Sequence, residues 1–249
     1  MEKLGYSRQT QKLIYALIYD FANFWQGNEA GWKPSYIESA YAKDILKSEF
    51  VREYDGFDYI KEPAKQLTNA IYNKDNYTCD ELFDEVVRCM QSMALEKYGF
   101  SLKLCALTQK QANDFVKFLF DLALKINVPL RAEIIELLKE QHQRDYIFTD
   151  LKYRCCAICG KAGADLEHFD NVARIGGYKF DTGTKLRLLP LCREHHGEAH
   201  YIGKTQFKNK YKIQGILLSE EEVIKLFPVY KNQFKALREK IKEELRESS

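Results

Sequence analysis

Apolar residues recur at helical spacing from the start of the chain, where Leu13, Ile14, Leu17, Ile18, Phe21 and Phe24 share one face of a segment running from Ser7 to about Trp25. Ser7 is placed to cap that helix, and Gly27 and Gly31 end it. After Pro34 a second stripe, Ile37, Tyr41, Ile45, Leu46 and Phe50, predicts a helix from Ser35 to Tyr54, and Asp55-Gly56 signals a turn. Lys61 to Tyr77 is mixed and reads as partly helical. Asp80 then caps a clearer helix to about Lys97, which Gly99 stops. Phe100 to Leu104 reads as a short strand. Thr108 with Gln111 three residues on is a capping box for a helix carrying Phe115, Val116, Leu119, Leu122 and Ala123. Pro129 breaks that helix, Arg131 to about His142 restarts one, and Asp145 to Tyr153 forms a junction. Near the end, Ser219 with Glu222 is a second capping box and Pro228 divides the tail. The last helix, to Arg246, packs through Phe234, Leu237, Ile241 and Leu245. There is no internal repeat.

Between these helices the pattern changes character. Cys156 to His200 holds four of the five histidines and three of the seven cysteines. Cys156-x2-Cys159 and Cys192-x2-His195 are two short bites separated by a long loop, the pattern of a closed tetrahedral zinc site. Glu167, His168, His196 and His200 then remain. His196 and His200 stand four apart, so a helix after Cys192 projects them from one face, where they can grip a second metal with Glu167 or its neighbour on a facing strand. A plain zinc ribbon with solvated extra histidines is the simpler alternative. Disulfides are disfavoured by the odd number of cysteines and by the lack of a secretory pattern.

The stretches R-C-C-A-I-C-G-K, L-E-H-F-D and L-C-R-E-H-H-G-E-A-H-Y-I-G, with F-K-N-K-Y after them, resemble the zinc-braced HNH, or ββα-metal, endonucleases carried by bacteriophages. Position by position, the resemblance implies that His168 is the general base and that Glu167, His196 and His200 hold a catalytic ion. It implies likewise that Cys156, Cys159, Cys192 and His195 hold structural zinc. Mixed carboxylate and imidazole ligation suits manganese, nickel or zinc as the catalytic ion and leaves magnesium open. The sequence departs from the family pattern at Arg187, which stands where Asn is usual and is a candidate to orient the phosphate instead. More faintly, S-R-Q-T-Q-K-L-I-Y-A-L-I-Y-D-F-A and F-S-L-K-L-C-A-L-T-Q-K-Q-A-N-D-F-V-K-F-L resemble the NinB/Orf-type phage recombination mediators, which implies a dimeric DNA-binding part.

Composition and charge sharpen this picture. With 249 residues, 45% of them hydrophobic, and no long apolar run, the chain reads as one or two soluble domains without a membrane span. Net charge is only +2, yet it is unevenly spread, at −4 over residues 1–150, +6 over 151–212 and zero over 213–249. The surplus sits on the motif-bearing part, as expected where phosphates approach. Lys204, Lys208, Lys210 and Lys212, interleaved with Phe207 and Tyr211, form a candidate phosphate track. The expected architecture is α+β and mainly helical. A helix-rich domain over 1–145 binds DNA or dimerises, an HNH module follows over 146–212, and a helical extension covers 213–249. The expected function is metal-dependent DNA endonuclease, acting as a homodimer on phage replication or recombination intermediates in a bacterial cytoplasm. The alternative is a non-catalytic recombination mediator with a structural zinc module.

Overall fold

The computed structural model describes residues 5–28, 32–53 and 100–247, together with Thr78 and Glu81. The helix expected from Asp80 and the mixed segment Lys61 to Tyr77 lie outside the described residues. The protein is α+β, with nine α-helices and one two-stranded ribbon among the described residues. It divides into two compact units, Met1–Ile135 and Glu136–Ser249.

In the first unit α1 (Arg8–Trp25) packs against α2 (Tyr36–Glu53) and α3 (Gln109–Lys125). Ser7 caps α1 by accepting the Thr10 N–H at 3.0 Å. The Thr108 and Gln111 box is complete at the start of α3, with bonds of 3.2 and 2.9 Å. Leu13, Ile14, Leu17, Ile18 and Phe21 are fully or almost fully buried, as their spacing requires. The expected stripe on α2 holds only in part. Leu46 and Phe50 face the core, whereas Ile37 and Tyr41 are exposed and Ala42 and Lys47 are buried. Lys47 is accommodated by lying over the Phe100 ring, its charge held down by burial. Phe100 to Leu104 is not a strand. Its carbonyls are taken by the start of the chain instead, Leu104 accepting the Tyr6 N–H at 3.1 Å and Leu102 the Tyr6 hydroxyl at 2.6 Å, while Phe100 joins Phe50, Phe115 and Phe118 in an aromatic cluster.

A further helix, α4 (Ala132–Gln141), leads into the second unit. The expected junction is itself a helix, α5 (Gln143–Tyr153), with Tyr146 to Leu151 buried against the ribbon. The ribbon pairs β1 (Asp165–His168) with β2 (Leu188–Leu191), antiparallel, with Glu167 opposite Leu189 and His168 opposite Leu188. Every residue of β2 is buried. The loop between the strands carries two short 3-10 turns, Val172–Ile175 and Tyr178–Phe180. Helix α6 (Arg193–Ile202) follows β2 directly and packs on both strands, and Gly203 turns the chain into α7 (Lys204–Tyr211). After the intact Ser219 and Glu222 capping box, α8 (Glu220–Leu226) and α9 (Lys235–Glu247) complete the unit. Phe234 and Leu237 anchor α9, whereas Leu245 is largely exposed.

Candidate active site

Helix α5 ends at Arg154, which is left-handed at φ 54°, and throws the chain into a tight knuckle. There the Gly160 N–H donates to the Cys156 carbonyl at 2.7 Å and the Cys156 N–H donates to Lys161 at 2.9 Å. Cys156 and Cys159 therefore project from one turn. The other bite lies where β2 becomes helix, with Cys192 at the cap of α6 and His195 in its first turn. Cys156 Sγ is 3.5 Å and Cys192 Sγ 3.2 Å from His195 Nδ1, and Cys159 Sγ is 3.9 Å from Cys192 Sγ. All four ligand atoms lie within 4.8 Å of one another. Tetrahedral zinc, with bonds of about 2.3 Å to sulfur and 2.0–2.1 Å to nitrogen, needs ligand separations of roughly 3.8 and 3.6 Å. The cluster thus has the size and the donors of a zinc site. Burial pushes the Cys156 thiol up to about 11, a cost that a bound dication offsets by favouring the thiolate.

The second cluster lies on the same helix. His196 and His200 of α6 bring their Nε2 atoms within 3.0 Å of each other. The buried carboxylate of Glu167 on β1 meets them, its Oε2 lying 2.5 Å from His196 and 3.4 Å from His200. Burial, then the neighbouring His200, lowers the pKa of His196 and favours the neutral imidazole that ligates metals. Three donors at these separations fit the edges of a coordination polyhedron for a divalent ion. Next along β1, His168 places its Nε2 2.8 Å from Asp181 Oδ2, with both side chains buried. The other oxygen of Asp181 accepts the Gly183 N–H at 2.8 Å. Glu167, His168, His196 and His200 line one cavity of about 1010 Å³.

The family described as putative HNHc nuclease matches residues 54–229, more than half of the chain and both clusters. The chain belongs to this family. No curated protein and no solved structure matches it. The HNHc nuclease match also reaches upstream of the ribbon, so it takes in α3, α4 and α5 as well as the ligand-bearing segment.

The residues selected from the sequence do not all converge. Arg187 is drawn away from the cavity. Its Nη2 donates to Asp170 at 2.6 Å and its Nε to both carboxylate oxygens at 3.1 Å, while the guanidinium lies over the Phe169 ring. The four lysines do not form one track either. Lys204 turns inward, its ammonium paired with Glu167 and placed 5.8 Å from the centre of the Phe169 ring, and burial lowers its pKa to about 8. Lys208 is exposed, Lys210 is paired with Glu198 at 2.5 Å, and the carbonyl of Lys212 accepts Gln143 at 3.0 Å. Asp181 and Asp170 escaped the sequence reading. For Asp181 the available signal was Asp181-Thr182-Gly183, an Asp two residues before a glycine, which marks an Asx turn.

Proposed function

We propose that this HNHc nuclease is a metal-dependent DNA endonuclease with its active site in the cavity between β1 and α6. The observation that carries the reading is the meeting of Glu167, His196 and His200 beside His168, at separations suited to one divalent ion. A divalent ion held by those three residues supplies charge stabilisation at the scissile phosphate and at the departing 3′-oxygen. His168, the imidazole next to the carboxylate, takes the proton of the attacking water. Lys204 adds a positive charge inside the cavity, where it balances Glu167 and can face a phosphoryl oxygen. Cys156, Cys159, Cys192 and His195 hold the structural zinc that fixes the start of α6 and so aims His196 and His200. Arg187, tied to Asp170, braces the loop after β1, and we give it no direct part in the chemistry. Lys208, which faces solvent, is the remaining lysine suited to a DNA phosphate.

The wider setting follows from the resemblances. We infer that the first unit serves DNA binding or two-fold dimerisation, a reading supported by Tyr19 and Trp25, exposed among the described residues. A phage recombination or replication role in a bacterial cytoplasm suits that assignment and the reduced thiolates that zinc requires. No described helix is long and apolar enough to cross a membrane.

The test is nicking of supercoiled plasmid across magnesium, manganese, nickel and zinc, comparing wild type with His168→Ala. Wild-type nicking with at least one ion, reduced about a hundredfold or more in the variant, is expected. A wild type that cuts nothing with any ion hands the case to a non-catalytic DNA-binding mediator.

A further inference from the structure

The carboxylate of Asp181 is divided between two donors of different origin. Its Oδ1 accepts the backbone N–H of Gly183, and its Oδ2 meets the His168 ring at Nε2, each at 2.8 Å. Both side chains are almost inaccessible, at 6% for His168 and 3% for Asp181. The turn that presents Asp181 is clamped. Gly183 has φ +79°, and a Cβ there would lie 2.6 Å from the buried Phe234 ring and 2.9 Å from Val223. Asp181 therefore cannot swing away without repacking the base of α9. A carboxylate only accepts hydrogen bonds, so the ring nitrogen facing it must carry a proton. Neutral imidazole then has its lone pair on Nδ1, which has no partner among the described residues, and the ring lines the cavity.

We propose that Asp181 is the positioning residue of this site: it holds His168 in the tautomer protonated at Nε2 and leaves Nδ1 as the atom that receives the proton of the attacking water. This rests on His168 acting as the base, but the tautomer itself does not. The substitution Asp181→Asn separates positioning from simple packing. The Gly183 N–H still demands an acceptor, so the amide oxygen stays on that side and the amide nitrogen turns to His168. Two donors cannot face each other, so His168 must present a bare Nε2 and carry its proton on Nδ1. The turn is kept, and the lone pair leaves the cavity. Where a carboxylate orients a catalytic histidine, the same exchange lowers turnover by roughly 10⁴-fold while leaving geometry intact.

The experiment uses the zinc-loaded full chain. Long-range proton–nitrogen correlation spectra of the five histidines, assigned with His168→Gln, report which nitrogen is protonated. Expected are Nε2–H at His168 in wild type and Nδ1–H in Asp181→Asn. Single-turnover cleavage should fall about 10³-fold or more, with zinc content, melting temperature and DNA affinity unchanged. Wild-type His168 protonated at Nδ1, or an Asp181→Asn enzyme cleaving within tenfold of wild type, overturns the proposal. A wild type that does not cleave overturns the nuclease reading instead, and the spectra still decide the tautomer. Should Asp181→Asn fail to fold, the wild-type spectrum alone decides it.

Discussion

Replacing Gly183 by alanine tests how stiffly the fold holds its candidate base. At φ +79° an L-residue costs about 1–2 kcal/mol. The added methyl would stand 2.6 and 2.7 Å from two atoms of the Phe234 ring and 2.9 Å from Val223. Carbon contacts are ordinarily at about 3.5–4.0 Å. Phe234 is only 2% exposed, so the ring has no open side to move toward, and forcing a methylene into such a core costs about 1–3 kcal/mol. Together these give roughly 2–5 kcal/mol, which for a unit of this size, at about 4 °C per kcal/mol, lowers the melting temperature by roughly 8–20 °C. The displacement reaches Asp181 through the Gly183 N–H and then His168, and a misplacement of about 1 Å is enough to lower turnover roughly a hundredfold. The assay is calorimetry of the zinc-loaded protein together with single-turnover plasmid nicking. Gly183→Ala protein that melts within about 2 °C of wild type and cuts at the same rate would falsify the claim that this turn is a rigid support.

Glu167→Ala and His200→Ala should each lower cleavage in a way that higher divalent ion concentration partly restores, because each removes a proposed metal ligand; a loss independent of ion concentration in a titration of nicking rate would argue against ligation. Native mass spectrometry should find one tightly held zinc ion per chain, and strong chelation should abolish the cooperative melt of the second unit, since structural zinc contributes on the order of 10 kcal/mol to such small modules; stable folding after complete removal contradicts the four-ligand assignment. The Arg187 hydrogen bonds hold the Asp170 carboxyl below its ordinary value, so their contribution to stability is fully present above the unfolded carboxyl pKa of about 3.9 and is lost as pH falls through the lower folded value. Denaturation midpoints of wild type and Arg187→Ala should therefore differ by a constant amount near neutrality and converge below about pH 4, and a difference that grows on acidification would refute the pairing.

What the sequence determined by itself was local. Ser7, the Thr108 and Gln111 box and the Ser219 and Glu222 box could be read because a cap acts within three residues, so spacing along the chain already is geometry. The same holds for Cys156 with Cys159 in one knuckle and for His196 with His200 on successive turns of α6. The tertiary structure decided the remainder. Whether Ile37 and Tyr41 faced the core depended on what lay opposite α2, not on their period. Arg187 went to Asp170, 17 residues away, rather than to the cavity, and Lys204 turned from an expected solvent-facing track onto Glu167. Asp181 met His168 across an irregular loop with no periodicity to reveal it. In each of these cases the deciding quantity is the direction of a side chain relative to a neighbour distant in sequence, and packing fixes that direction only after the chain has folded.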